Sequence, residues 1–471
     1  MKTFSQNYVN GTFIDILGEE ILSLKNPTTE EDITQVRMSS ELDALKAIEA
    51  AKNALEHFSQ TSIQQRKAYL QNLYDALLEK VDALKEATVE EYGASEQRAL
   101  WSNQYAADIF LYFQNVLDEF EFEREVGNSL VVLEPVGVTV ILTAWNSSAG
   151  SICVKLAAAI AAGCPVVIKP SEFSARQTQI MMECFHKANL PSGVINVING
   201  RGAILGELLS THPDIAKICF TGSTDVGQLI ARNASGSMKR LTLELSGKSP
   251  NIILEDADLE IAIPMAVQCC FQNNGQACIA GSRLIVPKKM LSEVKKLVVK
   301  SIEDLKVGDP RNPKNDMGPL ANEKQFIRVQ KYIRSGIEEG AELLIGGEGS
   351  PEGISKGYFV KPTAFANVTS DMIIAKEEIF GPVLSILTYQ SEEEAINIAN
   401  DTPFGLHAFI SGRDINRANR IARRIQAGRV SINTMVHDPY APFGGFKMSG
   451  IGREGGIYGL EAQLEPKAIL M

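Results

Sequence analysis

The segment FQNNGQAC (271–278) places Cys278 on polar, turn-forming chain just beyond an apolar run, because Asn-Gly favours a tight turn. A loop thiol near backbone donors can ionise and act as a nucleophile. The alternative for any unpaired cysteine is simple packing. Glu244 lies between Leu243 and Leu245 near the end of an apolar strand. A carboxylate there is a tuned acid or base, its pKa raised by desolvation, or else strand alternation turns it to solvent. Asn146 ends the run VILTAWN (140–146), where a side-chain amide can donate to a developing oxyanion. Its plain alternative is a turn residue beside a core Trp145.

A second set of residues suits an anionic ligand. Lys169 and Glu172, in VVIKPSEFSARQ (166–177), fall where a parallel strand ends, and ligands of doubly wound sheets bind beyond such ends. A cation and a carboxylate there could hold a ribose, or could be a solvated turn. In CFTGSTDVGQLI (219–230), Gly222 allows close backbone approach, and Ser223, Thr224 and the first helical amides can receive a phosphate. The turn Asn199-Gly200-Arg201-Gly202 leads to Gly206, a GxGxxxG spacing and not the dinucleotide fingerprint GxGxxG.

These groups need elements to position them. From Ser40 to about Tyr92, and from Trp101 to about Glu119, apolar residues recur at three and four, as in helices. Leu130–Val140 reads as β, interrupted at Glu134-Pro135. Short Val/Ile strands then alternate with helices from Val138 to Leu245, the signature of a parallel sheet covered on both faces. Alternation restarts near Ser246, with helices over Pro264–Phe271, Leu291–Leu305, Glu323–Glu339 and Glu393–Asn400. Strands fall at Arg283–Val286, Ala408–Ser411 and Val430–Ile432, and Pro264 suits a first helical position. Glu465–Met471 reads as an isolated strand.

Composition narrows the classes. The 471 residues allow two or three domains. A formal charge of −11 argues against nucleic-acid binding, and no apolar run reaches the roughly 18 residues of a membrane span. No signal peptide is read at the start, so a cytoplasmic protein is expected. Seven cysteines, at 153, 164, 184, 219, 269, 270 and 278, show no paired zinc spacing, and no metal is expected.

Seven blocks, in order, resemble the aldehyde dehydrogenase superfamily along nearly the whole chain. They are TAWN (143–146), KPSE (169–172), FTGS (220–223), LELSGKSP (243–250), FQNNGQAC (271–278), EEIFGPV (377–383) and PFGGFKMSGIGRE (442–454). The resemblance implies two doubly wound α/β domains, a Rossmann-like cofactor domain and a catalytic domain, with a small β oligomerisation arm. The expected bounds are 1–118 and 138–245 for NAD binding, 246–455 for catalysis, and 119–137 and 456–471 for the arm of a homodimer or homotetramer. By matching position, Cys278 is the nucleophile, Asn146 and the Cys278 amide hold the oxyanion, Glu244 activates the hydrolytic water, and Lys155 assists proton relay. That implies oxidation of an aldehyde to an acid. The alternatives are a coenzyme A-dependent acyl-transferring relative, which Glu244 speaks against, and an NADP-preferring semialdehyde dehydrogenase.

The same matching assigns cofactor contacts to Thr143, Trp145, Lys169, Ser171, Glu172, Gly202, Gly222, Ser223, Gly227, Leu245, Glu378 and Phe380. Glu172 would repel a 2′-phosphate, so NAD is favoured and NADP is the alternative. Ser147, Val154, Ala277, Ile279, His437 and Phe443 match the substrate tunnel, with His437 either a ligand for a polar tail or a packed loop residue. No arginine cluster falls at these positions, so a medium aliphatic or aromatic aldehyde is expected. The chain departs from the family pattern at Ala144, Ser246 and Ser147.

Overall fold

The computed structural model describes residues 2–470. Five parallel strands form the centre of an eight-stranded sheet, in the spatial order Arg240–Glu244, Lys217–Thr221, Thr139–Leu142, Val166–Lys169, Ile195–Val197. Thr139–Leu142 and Val166–Lys169 are buried at every position, as strands covered on both faces must be. Ile141 and Ile168 face a core built with Leu70, Phe110, Leu156 and Phe185. Val140 and Val167 face the opposite core with Ile48, Leu205 and Ile230.

Chain order reverses between Thr139–Leu142 and Lys217–Thr221. The crevice at such a switch point is where doubly wound sheets take ligands, and both Thr143-Ala144-Trp145-Asn146 and Gly222-Ser223 open onto it. Gly450–Ile451 adds an antiparallel edge beside Arg240–Glu244. Gln6–Val9 and Thr12–Asp15 extend the far edge beyond Ile195–Val197.

The second sheet has seven strands, ordered Glu342–Ile345, Thr363–Ala366, Val383–Tyr389, Arg283–Pro287, Pro250–Ile253, His407–Ser411, Arg429–Ile432. All pairings are parallel except that of Glu342–Ile345. A three-stranded antiparallel arm joins Glu123–Val126, Ser129–Pro135 and Leu464–Leu470. The terminal strand is therefore paired within its own chain; Met471 lies outside the described residues. Val126 and Leu470 remain exposed on the arm.

Several sequence expectations need adjustment. The helical stretch from Ser40 is three helices, Glu41–Ser59, Ile63–Glu79 and Val81–Tyr92, two of them opened by serine capping boxes at Ser40 and Ser62. Pro264 is not a first helical residue: the helix runs Leu259–Phe271 with Asp258 before it and Pro264 inside. The carbonyl left without an amide belongs to Glu260, which is exposed and open to water. The N-terminal strands and Pro250–Ile253 were not foreseen. Among the described residues no helix is long and apolar enough to cross a membrane, and no group of three His, Cys, Asp or Glu could hold a metal ion.

Candidate active site

Cys278 lies on the loop between helix Leu259–Phe271 and strand Arg283–Pro287 of the second sheet. Polar side chains lock this loop against the rest of the molecule. Asn273 and Asn274 adopt left-handed φ of 56° and 59°, a conformation asparagine tolerates better than most residues. The Asn274 amide donates to the carbonyls of Gly93 at 3.1 Å and Pro319 at 2.9 Å, and accepts from the Gly318 amide at 2.9 Å. Gln276, fully buried, donates to the Tyr92 hydroxyl at 3.1 Å and accepts from the Ala321 amide at 3.0 Å. A Cβ on Gly275 would come within 2.3 Å of the Gly381 carbonyl carbon, so only glycine lets the EEIFGPV segment close on the loop.

Asn146 reaches this loop from the end of Thr139–Leu142. Its Nδ2 donates to the Gln276 carbonyl at 3.1 Å, and Asn273 Nδ2 bridges the Asn146 and Gln276 carbonyls at 3.2 Å each. The amide is thus held two residues from Cys278. Backbone amides of Cys278 and Ile279 point to the sulfur. Burial, with the charges of Glu378 and Glu244 adding to it, nevertheless pushes the thiol up to about 12. It is protonated at neutral pH and needs a base to react.

Glu244 ends its strand between Lys217–Thr221 and Gly450–Ile451. It is only 3% exposed, which excludes the solvent-facing alternative, and neither carboxyl oxygen has a hydrogen-bond partner among the described residues. Burial first, and the Glu454 charge second, hold its pKa well above the usual carboxylate value. A Cβ on Gly444 would stand 2.8 Å from Glu244 Oε1, so the PFGG turn roofs the carboxyl. Lys155 Nζ forms an ion pair with Glu454 Oε1 at 2.7 Å and donates to Thr221 Oγ1 at 2.7 Å. Glu454 carried no role in the sequence reading, although its block was recognised; only folding reveals that it faces Lys155 and Glu244.

Ser246 occupies a place where its side chain matters: its hydroxyl bonds the Glu378 carboxyl. The Gly247 amide donates to Glu378 Oε1 at 2.9 Å, and burial is the main cause of a raised Glu378 pKa. Arg328 donates to the Glu378 carbonyl, and Gln325 to that of Phe380, both at 2.6 Å. Phe380 is held at φ 61°, strain that a bulky residue keeps only where its surroundings enforce it. Its ring meets Trp145 edge-on, at 5.5 Å and 88°. Neither Gln325 nor Arg328 was singled out from sequence.

At the other end of the crevice, Lys169 Nζ lies 3.3 Å from Glu172 Oε2 and donates to the Gly200 carbonyl at 2.9 Å. Gly202 lies beside this buried lysine, a Cβ there being 4.0 Å from Nζ. Ser171 caps the short turn that carries Glu172. Thr143 Oγ1 is buried without a partner among the described residues. Ser223 caps helix Thr224–Ser235 and is itself exposed, so that helix end faces the crevice. Gly222 clears the Phe220 ring, and Gly227 packs on Leu245, where a Cβ would meet Leu245 Cδ2 at 2.4 Å.

The matched tunnel positions Ser147, Val154, Ala277, Ile279 and Phe443 are all half-buried. His437 is half-buried and bonded on both nitrogens: Arg429 Nη1 lies 3.3 Å from Nδ1 and the Tyr105 hydroxyl 2.7 Å from Nε2. A guanidinium only donates, so Nδ1 accepts and Nε2 carries the proton. Burial pushes the ring down to about 4, which leaves it neutral. Arg429 also lies over the Phe443 ring at 5.1 Å. The matched positions held no arginine; the fold brings Arg429 to two of them.

Residues 15–469 match the model of the aldehyde dehydrogenase family. A putative aldehyde dehydrogenase of Staphylococcus aureus is 42% identical over 100% of this chain and 99% of its own. Among solved structures, aldehyde dehydrogenase C of Pseudomonas syringae, a cysteine-to-alanine mutant complexed with NAD+ and octanal, is 41% identical with a TM-score of 0.98, covering 99% and 96% of the two chains. An aldehyde dehydrogenase of Mycobacterium tuberculosis complexed with NAD+ is 36% identical with a TM-score of 0.96, covering 100% and 98%. The chain belongs to the aldehyde dehydrogenase family.

Proposed function

We propose that the protein oxidises an aldehyde to a carboxylic acid with NAD as oxidant, through a thioester on Cys278 that water hydrolyses. The convergence of Cys278, Asn146 and an unpartnered buried Glu244 on one polar loop carries this reading. The Cys278 sulfur attacks the aldehyde carbon and its proton leaves to a nearby base. In this reading Asn146 Nδ2 and the Cys278 amide would turn to the oxygen that becomes negative, and such stabilisation usually dominates these steps. Bound NAD supplies the hydride acceptor. With the hydride gone the carbon is a thioester; Glu244 takes a proton from water, the C–S bond breaks, and the acid departs. Lys155 and Glu454 form the charged pair through which that proton can leave.

The crevice suits a dinucleotide. Lys169 and Glu172 stand where ribose hydroxyls need a donor and an acceptor, and the Ser223 helix end can receive a phosphate. Glu378, half-buried and without a salt-bridge partner among the described residues, and Phe380 beside Trp145 would take the nicotinamide end. The NAD complexes of similar structures support the same choice. In this reading the Thr139–Glu244 unit holds NAD, the second unit carries the cysteine, and the arm pairs subunits of a cytoplasmic homo-oligomer through its exposed edge.

Replacing Cys278 with alanine tests the assignment. NAD should still bind by fluorescence titration while NADH formation from aldehydes falls to background. Retained turnover would refute the nucleophile, and a wild-type rate that requires coenzyme A would replace hydrolysis by acyl transfer.

A further inference from the structure

The amide of Asn146 is set in place by other polar groups, and those groups meet at one phenol. Its Nδ2 carries two protons. One goes to the Gln276 carbonyl at 3.1 Å, and the other remains for the oxyanion of the proposed reaction. The Gln276 carbonyl thus fixes the plane of the amide. Asn273 Nδ2 ties the same carbonyl to the Asn146 backbone, at 3.2 Å on each side. Where Asn146 points therefore depends on where Asn273 and Gln276 stand.

Tyr92, buried at the end of helix Val81–Tyr92, reaches both. Its hydroxyl donates to the Asn273 carbonyl at 3.2 Å and accepts from Gln276 Nε2 at 3.1 Å. Asn273 holds a left-handed φ of 56°, a conformation that surrounding contacts must maintain. Burial pushes the phenol above its ordinary value, so it keeps the proton that it donates. The helix end is itself anchored on both sides of Tyr92. Glu91 accepts from the Arg176 and Gln177 amides, and the Gly93 carbonyl accepts from Asn274 Nδ2 at 3.1 Å. The Tyr92 ring packs against Trp145, with centroids 5.8 Å apart. Phenylalanine would keep that packing. It would leave Gln276 Nε2 without a partner among the described residues, and the Asn273 carbonyl with the Gln276 amide alone.

We propose that Tyr92 is a positioning residue for the oxyanion site. Through Asn273 and Gln276, its hydroxyl sets the angle at which Asn146 meets the developing negative charge. The role requires no contact between Tyr92 and substrate, and it rests on the aldehyde oxidation proposed above. Tyr92 lies outside the seven blocks, at the end of a stretch whose pattern reads only as helix.

The test is a double-mutant cycle between Tyr92→Phe and Asn146→Ala. It uses NAD and whichever member of a panel of aliphatic and aromatic aldehydes the wild type oxidises fastest. Stopped-flow absorbance gives the rate of the NADH burst at saturating substrates. Tyr92→Phe should slow the burst about tenfold, the scale of a buried polar group left unpaired, with KM for NAD and aldehyde little changed. In the Asn146→Ala background the same exchange should alter the burst by less than about twofold, because the group that it acts through is gone. A full tenfold loss in both backgrounds would make Tyr92 a support independent of Asn146 and overturn the proposal. An unchanged burst, with or without a lower Tm, overturns it as well. If Tyr92→Phe does not fold, Gln276→Met removes the other end of the 3.1 Å bond and is read in the same cycle. A panel in which no aldehyde is oxidised, or a burst that Asn146→Ala does not slow, counts against the proposed function itself, and the Tyr92 role falls with it.

Discussion

Glu244→Gln separates the two halves of the reaction. The exchange is nearly isosteric, and neither carboxyl oxygen of Glu244 accepts a hydrogen bond among the described residues, so it breaks no native bond. It also removes a charge that Glu454 opposes. What it does remove is the base. General-base catalysis is worth roughly 10²–10⁴-fold, about 2.7–5.4 kcal/mol at 1.36 kcal/mol per tenfold. Hydride transfer precedes the water step, so stopped-flow absorbance should show an NADH burst near one per active site, then a steady phase slowed by that factor. In the wild type the working form is the carboxylate. Since burial and Glu454 raise its pKa, hydrolysis should accelerate as pH rises through that shifted value, and this limb should vanish in the variant. A burst that falls together with the steady phase would refute the assignment and place Glu244 before hydride transfer, as the group that deprotonates Cys278.

Glu172 sets the cofactor preference in this reading. Two unit charges about 4 Å apart repel by roughly 1–4 kcal/mol at effective dielectric 80 to 20; Lys169 at 3.3 Å and Arg201 at 4.0 Å flank the carboxylate and place the penalty at the low end. Glu172→Ser should therefore improve kcat/KM for NADP by about tenfold, and an unchanged NADP/NAD ratio would remove Glu172 from that role. Glu91, buried at the start of helix Ala175–Ala188, accepts from the Arg176 and Gln177 amides, yet burial wins and pushes its pKa from 4.5 to about 7. The folded state thus holds this proton more tightly than the unfolded state. Its stabilisation is full below the unfolded value and is lost as pH rises to about 7, some 3 kcal/mol in all. Glu91→Gln should flatten that part of the Tm-against-pH curve, and parallel curves for the two proteins would show that Glu91 titrates normally.

Much of the site was legible because its residues lie in short blocks at strand ends. Cys278, Asn146 and Glu244 were each ambiguous alone, and Glu244 most of all, since alternation allowed an exposed side chain. The covering strand Gly450–Ile451 decides it, and no local pattern announces a two-residue strand some two hundred positions away. Tyr105 escaped for a related reason. It sits on a helix whose periodicity explains it as an ordinary helical residue, and it meets His437 across 332 positions of chain. Pro264 misled because the rule for a first helical position ignores the other way to tolerate proline, an exposed carbonyl one turn earlier.

The glycines of the blocks gain their meaning from close backbone contacts around the cysteine loop. A Cβ on Gly247 would lie 2.2 Å from the Cys278 carbonyl oxygen, and one on Gly275 would strike Gly381. Backbone thus packs on backbone around the nucleophile, with no flexible side chain between to absorb a shift. Such contact fixes the cysteine loop against the strand that carries Glu244 more firmly than side-chain packing would, which suits groups that must hold their relative positions through two chemical steps. Ser246 can depart from glycine without disturbing these contacts, because its hydroxyl is directed to Glu378 and its carbonyl accepts from Ser449 Oγ at 2.6 Å. Gly247, one residue further, has no such outlet. Tolerance at 246 and intolerance at 247 follow from which neighbour each Cβ would meet.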